Sequence, residues 1–99
     1  MRRIILSLLP KTEIRKQLET IKNWHFENNT IKKEFNFQTY MDSIAFINRL
    51  AEISEKNNHH PDMYVGWCKI KLVFTSHDFG GVTKACITMA KVADEIFLR

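Results

Sequence analysis

The chain has 99 residues, of which 44% are hydrophobic, 11% aromatic and 26% charged, and its formal net charge at pH 7 is +4. This length predicts one compact domain, and the apolar content excludes an intrinsically disordered protein, because such proteins cannot bury enough apolar surface to offset the entropy of ordering. No apolar run approaches the roughly 20 residues of a membrane helix. Membrane-spanning proteins and enzymes with a separate cofactor domain are therefore excluded.

The charged and sulfur-containing residues exclude further classes. The lysines are scattered, with Lys32 and Lys33 the only adjacent two, which favours a solvated surface over a patch that binds nucleic acid. The two cysteines, Cys68 and Cys86, are too few for a zinc quartet or a secreted disulfide framework. We therefore expect reduced thiols and no direct contact with nucleic acid.

The N-terminus resembles the start of a secretion signal but lacks a hydrophobic region of full length. Two arginines precede an apolar segment that ends at Pro10 and is shorter than the hydrophobic region of a signal peptide. We expect a frayed N-terminal segment over residues 1–8 and a single domain over residues 9–99. The expected location is the cytoplasm, with the nucleus as an open alternative.

Three segments are predicted to be helices: residues 12–23, residues 39–58 and the segment that starts at Thr83. The first has apolar residues at helical spacing, at Ile14, Leu18 and Ile21. In the second, the Thr39 hydroxyl caps the helix and Asp42 follows three residues later. Its predicted inward stripe is Met41, Ile44, Ile47 and Leu50, with Ala45, Ala51 and Ile53 beside it. The third has on one face Cys86, Met89, Ala90, Ala93 and Phe97.

Two β-hairpins are predicted between these helices. In the first, Asn28 and Asn29 tolerate the positive φ of a tight turn, and a strand follows over residues 31–37. Alternation puts four of its side chains on one face: Ile31, Lys33, Phe35 and Phe37. The second hairpin joins residues 63–67 to residues 70–76, where apolar residues alternate with lysines.

The resulting order is α-β-β-α-β-β-α. It predicts an α+β fold, a two-layer sandwich in which three helices pack on one face of a four-stranded antiparallel sheet. An open sheet leaves edge strands, and pairing of two edges in a dimer would bury them.

Polar residues concentrate at the predicted end of the second helix. Glu55, His59 and His60 precede Pro61, and His77 follows the last strand. The spacing of four puts Glu55 and His59 on one face of a helix, whereas Pro61 disfavours helical geometry at His60, so that the two histidines point apart. Because imidazole gives and takes protons near neutral pH, this cluster indicates a proton-transfer site.

Two other interpretations of this cluster stay open. The histidines can be solvated side chains at the ends of secondary-structure elements. They can also bind zinc together with Glu55, since imidazole and carboxylate are zinc ligands, although the spacing matches no established zinc motif.

The spacing of these residues also resembles a family signature. Glu55 is followed by the run from His59 to Pro61, then by Trp67 after five residues and by His77 after nine more. This pattern is similar to that of the pterin-4a-carbinolamine dehydratases. The resemblance extends over residues 9–97 and includes two further matches, the helix start at Leu9 to Ile14 and the turn Gly81-Val82-Thr83.

The resemblance implies a reaction and a set of roles. Members of this family remove water from 4a-hydroxytetrahydropterin to give quinonoid dihydropterin, with no metal and no cofactor beyond the pterin substrate. The family's catalytic histidines correspond to His59, His60 and His77, and its glutamate to Glu55. By this resemblance His59 and His77 transfer protons, while His60 mainly binds the pterin.

Four further residues are candidates for substrate binding. Trp24 stands where the family has a tryptophan, and either walls the pocket or fills the core. Thr75 and Ser76 precede His77, and their backbone can meet the amide edge of the pterin. Cys86 stands where the family has an aspartate, and a thiol at a helix N-terminus can supply a partial negative charge.

The resemblance also implies partners. Family members form homodimers or homotetramers, and some act as dimerisation cofactors of a transcription factor or assist the assembly of other enzymes. A non-catalytic binding protein on this fold is therefore the alternative to a dehydratase. The apolar residues of the last helix suit an interface and equally the core of a monomer: Ile87, Ile96 and Leu98.

Overall fold

The computed structural model describes residues 7–99. The elements follow in the predicted order: α1 (Lys11–Leu18), β1 (His25–Glu27), β2 (Thr30–Asn36), α2 (Tyr40–Asn57), β3 (Asp62–Gly66), β4 (Lys69–Phe74) and α3 (Lys84–Leu98). The strands form one antiparallel sheet in the spatial order β1-β2-β4-β3. The predicted α+β fold is confirmed, and β1 and β3 are its edge strands.

The β1–β2 turn has the predicted geometry. Asn28 and Asn29 have φ values of 51° and 61°, and Glu27 pairs with Thr30 across the turn. Two positive φ values in succession are those of the turn that matches the twist of a hairpin. In the second hairpin Cys68 takes the left-handed conformation, with φ at 59°.

The core lies between one face of the sheet and the helices. Alternate residues of β2 and β4 point into it, as period two requires, and all are nearly or fully buried: Ile31, Phe35, Ile70, Leu72 and Phe74. The opposite face of the sheet is polar and includes Glu34 and Lys71, which pair across β2 and β4. Within residues 7–99 the sheet is therefore covered on one face only.

Lys33 lies on the inner face of β2, as the alternation predicted. Its Nζ is 2.7 Å from Asp94 Oδ1 of α3, and the indole N–H of Trp24 donates to Asp94 Oδ2 at 3.0 Å. The ammonium also lies 4.8 Å from the centre of the Phe35 ring. Asp94 therefore compensates both a half-buried cation and a buried indole, because it accepts one hydrogen bond from each.

The first helix is shorter than predicted. It ends at Leu18 rather than at residue 23, and the Thr20 hydroxyl donates back to Gln17 O at 2.7 Å. In the turn that follows, Asn23 takes a positive φ of 71°, which a right-handed helix does not allow. Ile21 is still buried, but in the turn after the helix.

The predicted inward stripe of α2 was wrong at its start. Met41 is 68% exposed, and the buried residues of this helix are Ser43, Phe46, Leu50 and Ser54. A serine reads as polar in a hydrophobicity pattern, but the Ser43 hydroxyl is satisfied inside the helix, where it donates to Tyr40 O. The predicted cap at Thr39 is confirmed, since its side chain accepts a hydrogen bond from the Asp42 N–H at 3.0 Å.

The sequence left open whether Ile87, Ile96 and Leu98 of α3 form an interface or fill the core. Two of them fill the core. Ile87 and Ile96 are 3% and 2% exposed, whereas Leu98 is 83% exposed.

At the other end of the chain, residues 1–6 of the predicted N-terminal segment lie outside the described residues. Near the start of the described residues, the Leu9 N–H donates to Val82 O at 2.9 Å and joins this segment to the domain. No helix within residues 7–99 is both long and apolar enough to cross a membrane.

Candidate active site

The C-terminus of α2 determines where the two adjacent histidines lie. Asn58 caps the helix in the left-handed conformation, with φ at 50° and ψ at 42°, and the His59 N–H donates to Ser54 O at 3.1 Å. This is the usual geometry in which a helix ends and the chain changes direction. The predicted shared face of Glu55 and His59 was therefore wrong, because the helix stops before His59.

Glu55 instead pairs with the second histidine. Its Oε1 lies 2.6 Å from Nε2 of His60, and both side chains are largely exposed. A carboxylate at this distance fixes the orientation of an imidazole and favours a proton on the nitrogen it contacts. His60 is thus oriented by the helix that precedes it.

His59 occupies a more apolar position. Its ring lies parallel to that of Phe74, with an interplanar angle of 8° and centroids 6.0 Å apart. Its buried Nε2 has no hydrogen-bond partner among residues 7–99. The pKa of His59 lies below its ordinary value of 6.5, chiefly because burial disfavours the charged ring and further because His60 and His77 are nearby. His59 is therefore mainly neutral at pH 7.

His77 belongs to a tight loop between β4 and α3. Ser76 N–H donates to Gly81 O at 2.8 Å, and Ser76 O accepts from the Phe79 and Gly80 N–H groups at 3.0 and 2.8 Å. Gly80 has a φ of 73°, a conformation that a side chain would strain. The loop thereby holds His77 at the end of β4 with its side chain exposed.

These elements surround one cavity of about 390 Å³. It brings together His59, His60 and His77 with Thr75 and Ser76. Its volume falls within the usual range of small-molecule sites. Histidines from two separate parts of the chain therefore face one space in which a small ligand can contact all of them.

Glu55, Trp24 and Cys86 do not line this cavity. Glu55 acts on it through His60, whereas Trp24 is 4% exposed and packs against Phe35 and Phe74 in the core. Cys86 is fully buried behind Ser76. Both backbone groups of Ser76 have hydrogen-bond partners within the loop, and its suggested role at a pterin edge stays a prediction.

The cavity also contains residues for which the sequence predicted no catalytic or binding role. Two are carboxylates, Asp62 and Asp78, and the others are Asn58, Pro61, Phe79 and Ala85. Each of the first five lies within two residues of a predicted histidine, so proximity in sequence was the available signal. Ala85 comes from the first turn of α3 and had no such signal.

The described part of the chain contains no cluster of metal ligands. Within residues 7–99 no three histidine, cysteine, aspartate or glutamate side chains come together in a way that could hold a metal ion.

Comparison with known proteins matches the chain to a family. A family profile described as "Pterin 4 alpha carbinolamine dehydratase" matches residues 7–96. A protein of Prochlorococcus marinus named "Putative pterin-4-alpha-carbinolamine dehydratase" is 36% identical over 92 residues, which cover 93% of this chain and 97% of that protein. The chain belongs to the pterin-4a-carbinolamine dehydratase family. A relative of the same name in Metallosphaera sedula is 37% identical over 84 residues, which cover 85% of this chain and 88% of that protein.

Solved structures support the same fold. A protein of Brucella melitensis, described as a transcriptional coactivator/pterin dehydratase, superposes with a TM-score of 0.88 at 24% identity, over 91% of this chain and 98% of that one. A pterin dehydratase-like protein described as a RuBisCO assembly factor superposes with a TM-score of 0.62 at 23% identity, over 75% of this chain and 86% of that one. At these identities the likeness concerns the fold alone.

Proposed function

We propose that this member of the pterin-4a-carbinolamine dehydratase family converts 4a-hydroxytetrahydropterin to quinonoid dihydropterin and water, as a step of tetrahydrobiopterin recycling in the cytoplasm. The observation that carries the proposal is that three histidines of two separate chain segments line one cavity. The family membership supports the pterin as substrate.

The reaction needs one proton donor and one proton acceptor. The N5 lone pair of the substrate forms a new double bond to C4a while the C4a–O bond breaks, and the oxygen leaves as water once an acid protonates it. A base then takes the N5 proton, so that atoms and charge balance. Two imidazoles, one charged and one neutral, meet this requirement without a further group.

The environments of the histidines suggest their roles. The depressed pKa of His59 favours the neutral ring, which suits the base that accepts the N5 proton. His77 is then the acid that protonates the leaving oxygen. His60, which Glu55 orients at 2.6 Å, binds the pterin. The carboxylates of Asp62 and Asp78 can accept hydrogen bonds from the pterin amino group.

The pH profile follows from the role of His59 as a base. Activity requires its neutral form and is lost as the pH falls through its pKa, so the acidic limb of kcat/KM is expected to have its midpoint below 6.5. The measurement is the initial rate at each pH, together with an NMR titration of the His59 ring. A midpoint above the ordinary histidine value in both would contradict this assignment.

The same shift predicts the sign of a stability change. Below the ordinary histidine pKa the unfolded chain binds a proton at position 59 that the folded chain resists, so the free energy of unfolding falls as the pH decreases. Above that pKa both states are neutral and His59 contributes no pH dependence.

The direct test of the proposal is an absorbance assay. Quinonoid dihydropterin formation from 4a-hydroxytetrahydropterin is followed with and without the wild-type protein, and an acceleration of about 10²–10⁴-fold is expected from acid–base catalysis. No acceleration would overturn the proposal. It would favour the alternative, a non-catalytic dimerisation or assembly cofactor, and a pull-down would then be the next experiment.

The exposed edge of the sheet favours a protein interface. Tyr64 and Val65 of β3 are 58% and 51% exposed, and Trp67 in the following turn is 82% exposed. Unpaired edge strands with apolar side chains readily pair with another chain. We propose that two copies pair along β3, in a homodimer or as part of a homotetramer.

A lysine on this edge is expected to disrupt such a pairing. Val65→Lys should convert a homodimer to a monomer, or a homotetramer to a smaller oligomer, because a charge on an edge strand opposes strand addition. Leu98→Lys is the matched control, since Leu98 is exposed at the end of α3. The measurement is size-exclusion chromatography with light scattering. A monomeric wild type, or an oligomer that dissociates only with Leu98→Lys, would contradict pairing through β3.

A further inference from the structure

Three buried side chains connect the loop that carries His77 to α3. Ser76 is 8% exposed, and Thr83 and Cys86 are both 0% exposed. Ser76 Oγ lies 2.6 Å from Thr83 Oγ1 and 3.6 Å from Cys86 Sγ, and Thr83 Oγ1 lies 3.8 Å from Cys86 Sγ. We call this closed arrangement the hydroxyl–thiol ring.

The hydrogen-bonding capacity of the ring matches its contacts. Each of its two hydroxyls and its thiol has one hydrogen to donate and can accept another. Three hydrogens serve three contacts, so each group can donate once and accept once without water. A small buried network that satisfies all of its members is rigid.

The Thr83 side chain takes part in the ring instead of capping α3. It occupies the N-cap position of α3, yet its side chain makes no capping hydrogen bond, and the first turn of this helix has no acidic residue. Threonine at an N-cap usually accepts a hydrogen bond from the helix backbone. Here its hydroxyl instead contacts Ser76, so the start of α3 is joined to the end of β4 rather than capped.

The ring acts at the residue next to His77. The backbone of Ser76 makes the hydrogen bonds that close the loop over residues 76–81. Because the His77 side chain is exposed, its position depends mainly on this backbone. Fixing the Ser76 side chain therefore restricts where the His77 ring can lie.

We propose that the hydroxyl–thiol ring positions His77 for proton transfer, and that Thr83 is a positioning residue of the site. The expected effect on kcat rests on the proposed dehydratase function, whereas the expected effect on the position of His77 does not. Loss of the Thr83 hydroxyl should widen the range of positions of His77 and lower kcat, whereas KM should change little because His60 still binds the substrate.

The test compares Thr83→Val, which replaces the hydroxyl by a methyl group of similar size, with Thr83→Ser, which keeps the hydroxyl. Thr12→Val is the matched control at an exposed threonine of α1. For Thr83→Val we expect kcat to fall by about tenfold, the equivalent of one neutral hydrogen bond, with KM nearly unchanged. Hydrogen exchange of the Phe79 and Gly80 amides should accelerate, and Thr83→Ser should restore both values.

Each outcome decides the proposal. Faster amide exchange with an unchanged kcat would show that the ring is purely structural and would overturn the proposal. Unchanged amide exchange would also overturn it, and so would a Thr83→Ser variant as impaired as Thr83→Val. If Thr83→Val does not fold, Cys86→Ala replaces it, because it removes the thiol alone and should change both measurements less but in the same direction. If the wild type shows no dehydratase activity, the proposed function fails, while the exchange rates and the NMR signals of the His77 ring still test the positioning.

Discussion

Replacing His59 or His77 by glutamine is expected to lower kcat for pterin dehydration by about 10²–10⁴-fold, the usual contribution of one positioned acid or base. Glutamine keeps hydrogen-bonding atoms of similar reach but does not exchange protons near neutral pH. The two effects should be less than additive in the double variant, since acid and base act on the same reaction in one site. The measurement is the initial rate of quinonoid dihydropterin formation.

Two further variants separate chemistry from binding and from general damage. His60→Gln should raise KM more than it lowers kcat, because this ring is oriented by Glu55 and is proposed to bind the pterin. His25→Gln is the control, as His25 is an exposed histidine on the edge strand β1. Equal losses in all four single variants would contradict the assigned roles, and so would full activity of folded His59→Gln.

The element order and the hairpins could be predicted because their signals are local. The Asn28–Asn29 turn and the alternation along β2 depend on neighbouring residues only, as does the Thr39 cap of α2. The end of α1 and the buried face of α2 were wrong because tertiary packing determines them. Phe46 is buried since it meets Phe35, Phe37 and Phe97, which lie outside α2.

The candidate site was predictable in its residue types but not in its contacts. Sequence spacing and the family resemblance singled out the histidines that line the cavity. The partner of Glu55 was not predictable, because the left-handed Asn58 ends the helix and places His60, not His59, beside the carboxylate. The sequence also left open whether Trp24 lines the pocket, and its hydrogen bond to Asp94, 70 residues away, places it in the core.

The second large effect is on stability and concerns Asp94, which accepts the hydrogen bond that holds Trp24 in the core. Asp94→Asn is expected to lower the free energy of unfolding by about 2–4 kcal/mol, slightly less than the loss for a fully buried pair, because these side chains retain some exposure. Lys33 and Asp94 side chains are 14% and 22% exposed. The neutral amide can still accept from Trp24 but leaves the Lys33 ammonium uncompensated between aromatic rings.

A double-mutant cycle distinguishes this cause from a mere loss of packing. Lys33→Met removes the cation, so Asp94→Asn should cost much less in that background, and the coupling between the two positions should be comparable to the single-variant loss. Urea unfolding followed by circular dichroism measures each free energy, provided that the m-value is unchanged. Glu27→Gln is the control, because its ion pair with Lys32 at 2.9 Å lies at the surface and its loss should leave the midpoint nearly unchanged. Additive losses for Lys33 and Asp94 would show that the carboxylate acts through Trp24 alone, since only a charge left without its counterion makes the two substitutions depend on each other.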